Sequence, residues 1–252
     1  MQPSLEVTFT PADFETLRLR DLSRSVCVVF DVLRATSSMT VALARGASRI
    51  FPVTRIEEAL ALKARHPDAL LAGERHGVKI LSAQTGGVDF DFGNSPREFL
   101  TDKIRGKTLI TSTTNGTRAL QACHGASRVF AASLLNLGAT LRALQSMSPA
   151  NLILVAAGTF EEAALEDTLA AGAVCDALWS RFAEADIVDS ARIAREIYLH
   201  NRHDVAAALS QARNGRRLLE KPDLRDDVAF CAQRDLYDFA AELRDGAVTI
   251  AS

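Results

Sequence analysis

The sequence predicts an α/β protein of three layers, α/β/α, around a mostly parallel or mixed central sheet. Short apolar, β-branched runs alternate with longer amphipathic stretches along most of the chain. Most of the short runs are apolar at both parities, the pattern of strands covered by helices on each face. A third observation is size: 252 residues, 48% of them hydrophobic, are enough for one sizeable core. A single domain over 1–252 is therefore expected, either undivided or as two tightly joined lobes with the second beginning near residue 105.

In chain order, Val26 to Phe30, Arg49 to Val53, Leu70 to Ala72, Thr108 to Thr111, Arg128 to Ala131 and Leu152 to Ala156 read as strands, with a last short one near Val248 to Ile250. Helices are expected over Ser37 to Arg45, Ile56 to Arg65, Gly116 to Cys123, Leu137 to Met147 and Glu166 to Glu184. Gly46 and Gly125 follow helices where the chain must turn left-handed, a conformation that glycine adopts without strain. Beyond Ser190 the pattern is helical and is broken at Asn214-Gly215. Gly46-Ala47-Ser48-Arg49-Ile50-Phe51 is echoed by Gly125-Ala126-Ser127-Arg128-Val129-Phe130, and each copy follows a polar loop and a helix. Two related β-loop-α-β halves would produce that echo; so would convergence of two helix-to-strand returns.

Charge narrows the function. With 29 basic and 31 acidic residues the formal charge is −2, which excludes a broad cationic surface for nucleic acid. The widely spaced Cys27, Cys123, Cys175 and Cys231 are expected as buried free thiols of a reducing compartment. Met1-Gln2-Pro3-Ser4-Leu5-Glu6 has neither the basic nor the apolar region of a signal peptide, and no apolar run approaches ~18 residues, so a cytoplasmic protein without a membrane partner is expected. A homodimer is expected only from the prevalence of two-fold assemblies.

Chemistry concentrates in polar loops that should lie at carboxyl ends of strands, where open α/β sheets bind ligands. In Phe30-Asp31-Val32-Leu33-Arg34-Ala35-Thr36-Ser37-Ser38 a strand ends in a carboxylate and leads to a hydroxyl-rich helix start. Backbone N–H groups there, with Thr36, Ser37 and Arg34, would make an anion pocket; an N-cap and surface ion pair would use the same residues. Thr111-Ser112-Thr113-Thr114-Asn115-Gly116-Thr117-Arg118 carries more hydroxyls than a cap requires and reads as a phosphate or sulfonate cradle. Glu166 and Asp167 head a helix, where they complement its dipole, or with Asp31 supply hard oxygen ligands to Mg²⁺. Glu74-Arg75 and Asn94-Ser95-Pro96 add polar groups in glycine-flanked turns.

Taken together, DVLRATSS at 31–38, GERHG at 73–77, DFGNSP at 91–96, TSTTNGT at 111–117 and AGTFEEAALEDTLAAG at 157–172 resemble the 2-phosphosulfolactate phosphatase family, in the family's order. The region around Asp226-Asp227-Val228 is similar to the family's end. The resemblance implies an α/β enzyme that hydrolyses (2R)-2-phospho-3-sulfolactate to 3-sulfolactate and phosphate with Mg²⁺, a step associated with coenzyme M biosynthesis. By position it implies Asp31, Arg34, Ser37, Glu74, Arg75, Asn94, Ser95, Thr114, Asn115, Thr117, Glu166 and Asp167 as site residues. Glu161 and Glu162 are more acidic than the family pattern leads one to expect, and charge there would oppose a polyanionic substrate.

Phosphate esters are inert enough that a phosphatase needs charge stabilisation and an activated nucleophile together, and a metal held by Asp31 with Glu166 or Asp167 supplies both. Arg34, Arg75 and the loop at 113–117, Gly116 included, would neutralise the remaining oxygens. A cysteine phosphatase is excluded, because only four residues separate Cys123 from Arg128, where the phosphate loop has five between its thiolate and Arg. An aspartyl-phosphate pair is disfavoured by Leu33, two positions after Asp31, while Asp31 as a nucleophile stays open. Asp89-Phe90-Asp91 has the pair's spacing but no buried strand before it. No P-loop or dinucleotide fingerprint exists, and His200 and His203 read as an exposed helix face. Two other functions remain in view: a phosphatase for another phosphorylated 2-hydroxy acid, and a non-catalytic anion-binding protein.

Overall fold

The computed structural model describes residues 3–147 and 149–251, so Met1 and Gln2 of the N-terminal segment read above lie outside the described residues. Eleven described strands form one sheet. They are β1 (Ser4–Thr8), β2 (Ser25–Phe30), β3 (Arg49–Pro52), β4 (Leu70–Arg75), β5 (Val78–Lys79), β6 (Thr108–Ser112), β7 (Arg128–Ala132), β8 (Asn151–Ala156), β9 (Asp186–Ile187), β10 (Ala241–Arg244) and β11 (Ala247–Ile250). The helices are α1 (Ala12–Leu19), α2 (Ala35–Ala44), α3 (Ile56–Arg65), α4 (Ser82–Thr85), α5 (Gly116–Ala122), α6 (Leu137–Ser146), α7 (Leu165–Leu178), α8 (Asp189–Asn201), α9 (Val205–Gln211), α10 (Arg213–Leu219) and α11 (Arg225–Cys231).

The three layers follow from the parity of the central strands. Every residue of β2 is buried. Val26, Val28 and Phe30 join a core with α6 to α11, while Cys27 and Val29 join a core with α1, α2 and α5. β7 and β8 divide the same way: Phe130, Leu152 and Leu154 face the first core, and Val129, Ile153 and Val155 the second. A smaller cluster of Ala59, Leu71, Ile80, Phe90 and Ile110 fills the space under α3.

The sheet order is β5-β4-β6-β3-β11-β10-β7-β2-β8-β1-β9. One parallel block contains β4, β6 and β3, the other β7, β2, β8, β1 and β9. The antiparallel hairpin β10–β11 joins them, pairing antiparallel with β7 on one side and β3 on the other. Three reversals make the two blocks run in opposite senses. Because β2 lies between β7 and β8, strands from before and after residue 105 interleave in one sheet.

Matching β2-α2-β3 to β6-α5-β7 makes the order β6-β3-β11-β10-β7-β2 read the same from either end. The sequence echo falls at corresponding places in these units, with Gly46 at φ 91° and Gly125 at φ 87°.

Three element boundaries differ from the sequence reading. The helix expected over Glu166 to Glu184 is α-helical only to Leu178 and tightens into a 3₁₀ turn at Trp179–Phe182. The break expected at Asn214-Gly215 falls at Ala212, whose ψ of 148° is extended, and Asn214 opens the first turn of α10. β1, β10 and α1 were not expected at all; β10 is Ala-Glu-Leu-Arg, a helix-like composition held in the sheet by pairing on both sides.

Candidate active site

The turn out of β2 is organised by Asp31. Its Oδ1 accepts the Ala35 N–H at 3.0 Å and its carbonyl accepts the Thr36 N–H at 3.0 Å. The Thr36 hydroxyl donates to the Asp31 carbonyl at 2.9 Å, and the Ser37 hydroxyl donates to the Val32 carbonyl at 2.8 Å. The anion at the start of α2 is thus the protein's own carboxylate, and the Thr36 and Ser37 hydroxyls close the turn.

The loop after β6 is equally self-engaged. Thr114 donates from both N–H and hydroxyl to Glu74 Oε1 at 2.8 Å, and Gly77 N–H donates to Glu74 Oε2 at 2.7 Å. Thr113 and Thr117 bond each other across the first turn of α5. Arg75 donates to the Ser112 carbonyl, the Ser112 hydroxyl and the Thr54 carbonyl. Glu74 and Arg75 therefore staple the loops after β4 and β6 together. Of the hydroxyls read as an anion cradle, those of Thr114 and Thr117 donate to the protein.

Although β2 and β6 belong to blocks of opposite sense, their ends meet. A Cβ on Gly116, the first residue of α5, would lie 2.6 Å from Asp31 Oδ2 and 2.7 Å from the Cβ of Ala35, the first residue of α2. Only glycine permits that approach. Asn115 ties in the loop after β8 by donating to the Ala157 and Phe160 carbonyls at 3.0 and 2.9 Å. These two bonds fix the amide's orientation and leave its Oδ1 buried without a partner.

Three acids lie together behind this junction. Asp167 accepts the Val32 N–H with Oδ1 at 2.8 Å and the Gly158 N–H with Oδ2 at 3.0 Å, locking the β2 and β8 loops to α7. Glu166 is buried, and its Oε2 has no hydrogen-bond partner. Burial pushes the Asp31 carboxyl up to about 6, against the pull of the Ala35 N–H, and the Glu74 charge adds to the rise. Burial also pushes Glu166 up to about 7, reinforced by the Asp31 charge. Asp167 is raised well above the ordinary carboxylate range by burial first and then by Glu166 and Asp31.

Among the described residues no three His, Cys, Asp or Glu side chains are grouped to hold a metal. Both Asp167 oxygens are engaged, which leaves Asp31 and Glu166. Mg²⁺ accepts one or two carboxylates and completes its octahedron with neutral oxygens and water. The partnerless Glu166 Oε2 and Asn115 Oδ1 are hard oxygen donors of that kind, and mutually repelling buried acids favour a cation. The donor set fits Mg²⁺.

One cavity gathers these groups. Asp31, Arg34, Glu74, Asn94, Thr114 and Asn115 line it, together with His76, Thr159 and Phe160. Thr36, Ser37, Arg75, Ser95, Thr113, Gly116, Thr117, Glu166 and Asp167 stand outside the lining and act through the contacts just described. Arg34 enters the cavity with its Nη1 on Asp227 Oδ2 at 2.9 Å, a fully buried pair. Asp227 Oδ1 accepts from the Ser95 hydroxyl at 2.7 Å and Arg97 Nε at 2.8 Å.

The remaining wall comes from Asn214, Arg217, Leu218 and Lys221, which the sequence reading did not select. Their spacing of i, i+3, i+4 and i+7 was the available signal: it puts Asn214, Arg217 and Leu218 on one face of α10, with Lys221 just past its end. The acidic pair Glu161 and Glu162 lies outside the lining, and each carboxylate is neutralised, by Arg118 at 2.9 Å and by Arg213. Neither carboxylate therefore faces the cavity without a cation beside it.

Other candidates hold structural places. Asp91 Oδ2 accepts the Leu71 N–H and Asp89 Oδ1 the Ser82 N–H. All four cysteines are buried and free; contact with Cys27 and burial raise the Cys123 thiol well above its ordinary value, unlike an activated nucleophile. No described helix is long and apolar enough to cross a membrane.

Cationic side chains facing a buried acid cluster at strand ends meet the requirements of a hydrolase acting on phosphate monoesters, and that is the class the fold and site define. Residues 10–246 match the family model described as 2-phosphosulpholactate phosphatase, and the chain belongs to that family. It is 32% identical over 235 residues to a probable 2-phosphosulfolactate phosphatase of Clostridium acetobutylicum, covering 93% of this chain and 96% of that one. Proteins of the same description from Caldanaerobacter subterraneus and Thermotoga petrophila are 36% and 38% identical, over 93% and 87% of this chain and 94% and 89% of theirs.

Proposed function

We propose that this chain is a Mg²⁺-dependent phosphatase that hydrolyses (2R)-2-phospho-3-sulfolactate to 3-sulfolactate and phosphate. The observation that carries the reading is that Asp31, whose charge acts on Glu166, lines a cavity with Arg34 and Asn115, while Glu166 Oε2 and Asn115 Oδ1 are buried without partners. The family of the curated relatives supplies the substrate.

Asp31 and Glu166, with the Asn115 amide oxygen, would hold the ion, which when bound screens phosphoryl charge and acidifies a water. Arg34 receives phosphoryl oxygens, and its pairing with Asp227 fixes the guanidinium before substrate arrives. The Asn94 amide, which lines the cavity with no hydrogen bond to another described side chain, is a further donor for the ester. Asp167 and Glu74 hold the loops after β2, β4, β6 and β8 in register. The net reaction adds water across the P–O bond, so the leaving oxygen gains one proton and the phosphorus one hydroxyl.

Phosphate release from phosphosulfolactate with Mg²⁺, and its loss on adding EDTA, is the expected result. Turnover that continues unchanged under chelation rejects the metal requirement. Turnover confined to unsulfonated 2-phospho acids rejects the substrate.

A further inference from the structure

The cavity contains more positive charge than a phosphate end requires. Arg34 is committed to Asp227, which also binds Arg97. Across the cavity stand Arg217, half-buried on the face of α10 that also carries Asn214 and Leu218, and Lys221, half-buried just past the end of that helix. Neighbouring cations are neutralised or bonded: Arg213 pairs with Glu162, Arg216 donates to the Gln211 carbonyl and Arg225 approaches Asp226. Arg217 and Lys221 have no carboxylate at ion-pair distance among the described residues.

Arg217 is instead held by an aromatic ring, its guanidinium carbon 4.9 Å from the centroid of Phe160. Phe160 is also stacked on His76 at 6.2 Å, and its carbonyl accepts from Asn115. A cation–π contact orients a guanidinium without neutralising it. The chain therefore positions one cation over the ring of the loop that Asn115 ties down, and places a second four residues further along, past the end of α10, both with their charge available.

We propose that Arg217 and Lys221 form the specificity subsite for the second anionic group of the substrate, the acid group remote from the phosphate. This rests on the cavity being the phosphatase site proposed above. The ligand class is a small phosphate ester that bears a sulfonate or carboxylate within the same few atoms. Arg217 meets that group through its planar fork and Lys221 as a point charge. A site built around such a charge penalises esters that lack it, because the cations are then left desolvated and unpaired.

The test separates the two ends of the substrate. Calorimetric binding of 3-sulfolactate, which carries the acid groups and no phosphate, is measured beside binding of inorganic phosphate for the full-length chain. Arg217→Gln and Lys221→Met are expected to weaken sulfolactate binding about 10-fold or more each, with phosphate binding changed less than about 3-fold. In steady-state assays the same variants raise KM for phosphosulfolactate with kcat nearly retained. Arg217→Lys keeps part of the affinity, and Phe160→Leu weakens sulfolactate binding without removing any charge. Equal losses for both probes, loss of phosphate binding alone, or unchanged sulfolactate binding in a folded Arg217→Gln variant each overturn the proposal. Arg217-dependent sulfolactate binding by a wild-type chain that never releases phosphate from phosphosulfolactate overturns the proposed reaction and leaves the subsite standing.

Discussion

At the scale of single residues, Asp31 is the group on which the site turns: it caps α2, packs over Gly116 and is electrostatically linked to Glu166 and Asp167. Asp31→Asn keeps the Ala35 N–H bond available and removes the charge, so phosphate release should fall by about 10³-fold or more while far-UV circular dichroism is unchanged. The raised carboxyls also fix how stability depends on pH. Asp31 moves from 3.8 to about 6 and Glu166 from 4.5 to about 7 on folding, so the native state binds protons more tightly than the unfolded chain. Their contribution is complete below about pH 4 and is lost as pH rises through 6 to 7. Urea titrations of the chelated protein should therefore show stability falling between pH 4 and 7, by a few kcal/mol in total. Glu166→Gln should flatten that slope; a slope unchanged in the variant would remove Glu166 from the account.

At the scale of elements, the buried strands are the firmest part of the fold and were the most legible in the sequence. Phe130 on β7 is fully buried in the larger core, and Phe130→Ala should cost about 3–5 kcal/mol by chemical denaturation. Val26 to Phe30 and Leu152 to Ala156 were readable because both parities are apolar, which only a doubly covered strand needs. β10 was not, since Ala-Glu-Leu-Arg alternates over only four residues that are mostly good helix formers, and its buried Glu242 is admitted by the Arg128 guanidinium at 2.6 and 2.7 Å and by Arg244 at 3.1 Å. The Asp245-Gly246 pair, with φ of 51° and 78°, was the overlooked hairpin signal. In the site, the motifs that converge were visible as polar loops after strands. What sequence does not show is which hydroxyls are already engaged: those of Thr114, Thr117, Thr36 and Ser37 read as ligands and donate to the protein. Asn214, Arg217 and Lys221 went unselected because a presumed break at Asn214-Gly215 hid their helical spacing. Gly116→Ala tests the junction between α2 and α5. The added methyl should reduce kcat strongly by displacing Asp31, with a smaller effect on the thermal midpoint than Phe130→Ala.

At the scale of the whole molecule, acids from one parallel block and staples from the other meet at one place, so a bound cation should stabilise the entire sheet. Saturating Mg²⁺ is expected to raise the thermal midpoint by roughly 5 °C at pH 8, more than at pH 5, where the acids hold protons. EDTA should reverse the shift, and Glu166→Gln should abolish it. A midpoint indifferent to Mg²⁺ in the wild type would count against metal binding at this site. The β10–β11 hairpin ties the two blocks, and a chain ended at residue 240 is expected to lose cooperative unfolding, because β3 and β7 would then present unpaired edges. The same placement governs biogenesis. The seam of the sheet is supplied by the last two described strands in sequence, so a nascent chain is expected to expose the hydrogen-bonding rims of β3 and β7 until the hairpin has been made. That waiting period is when holdase chaperones have most to bind.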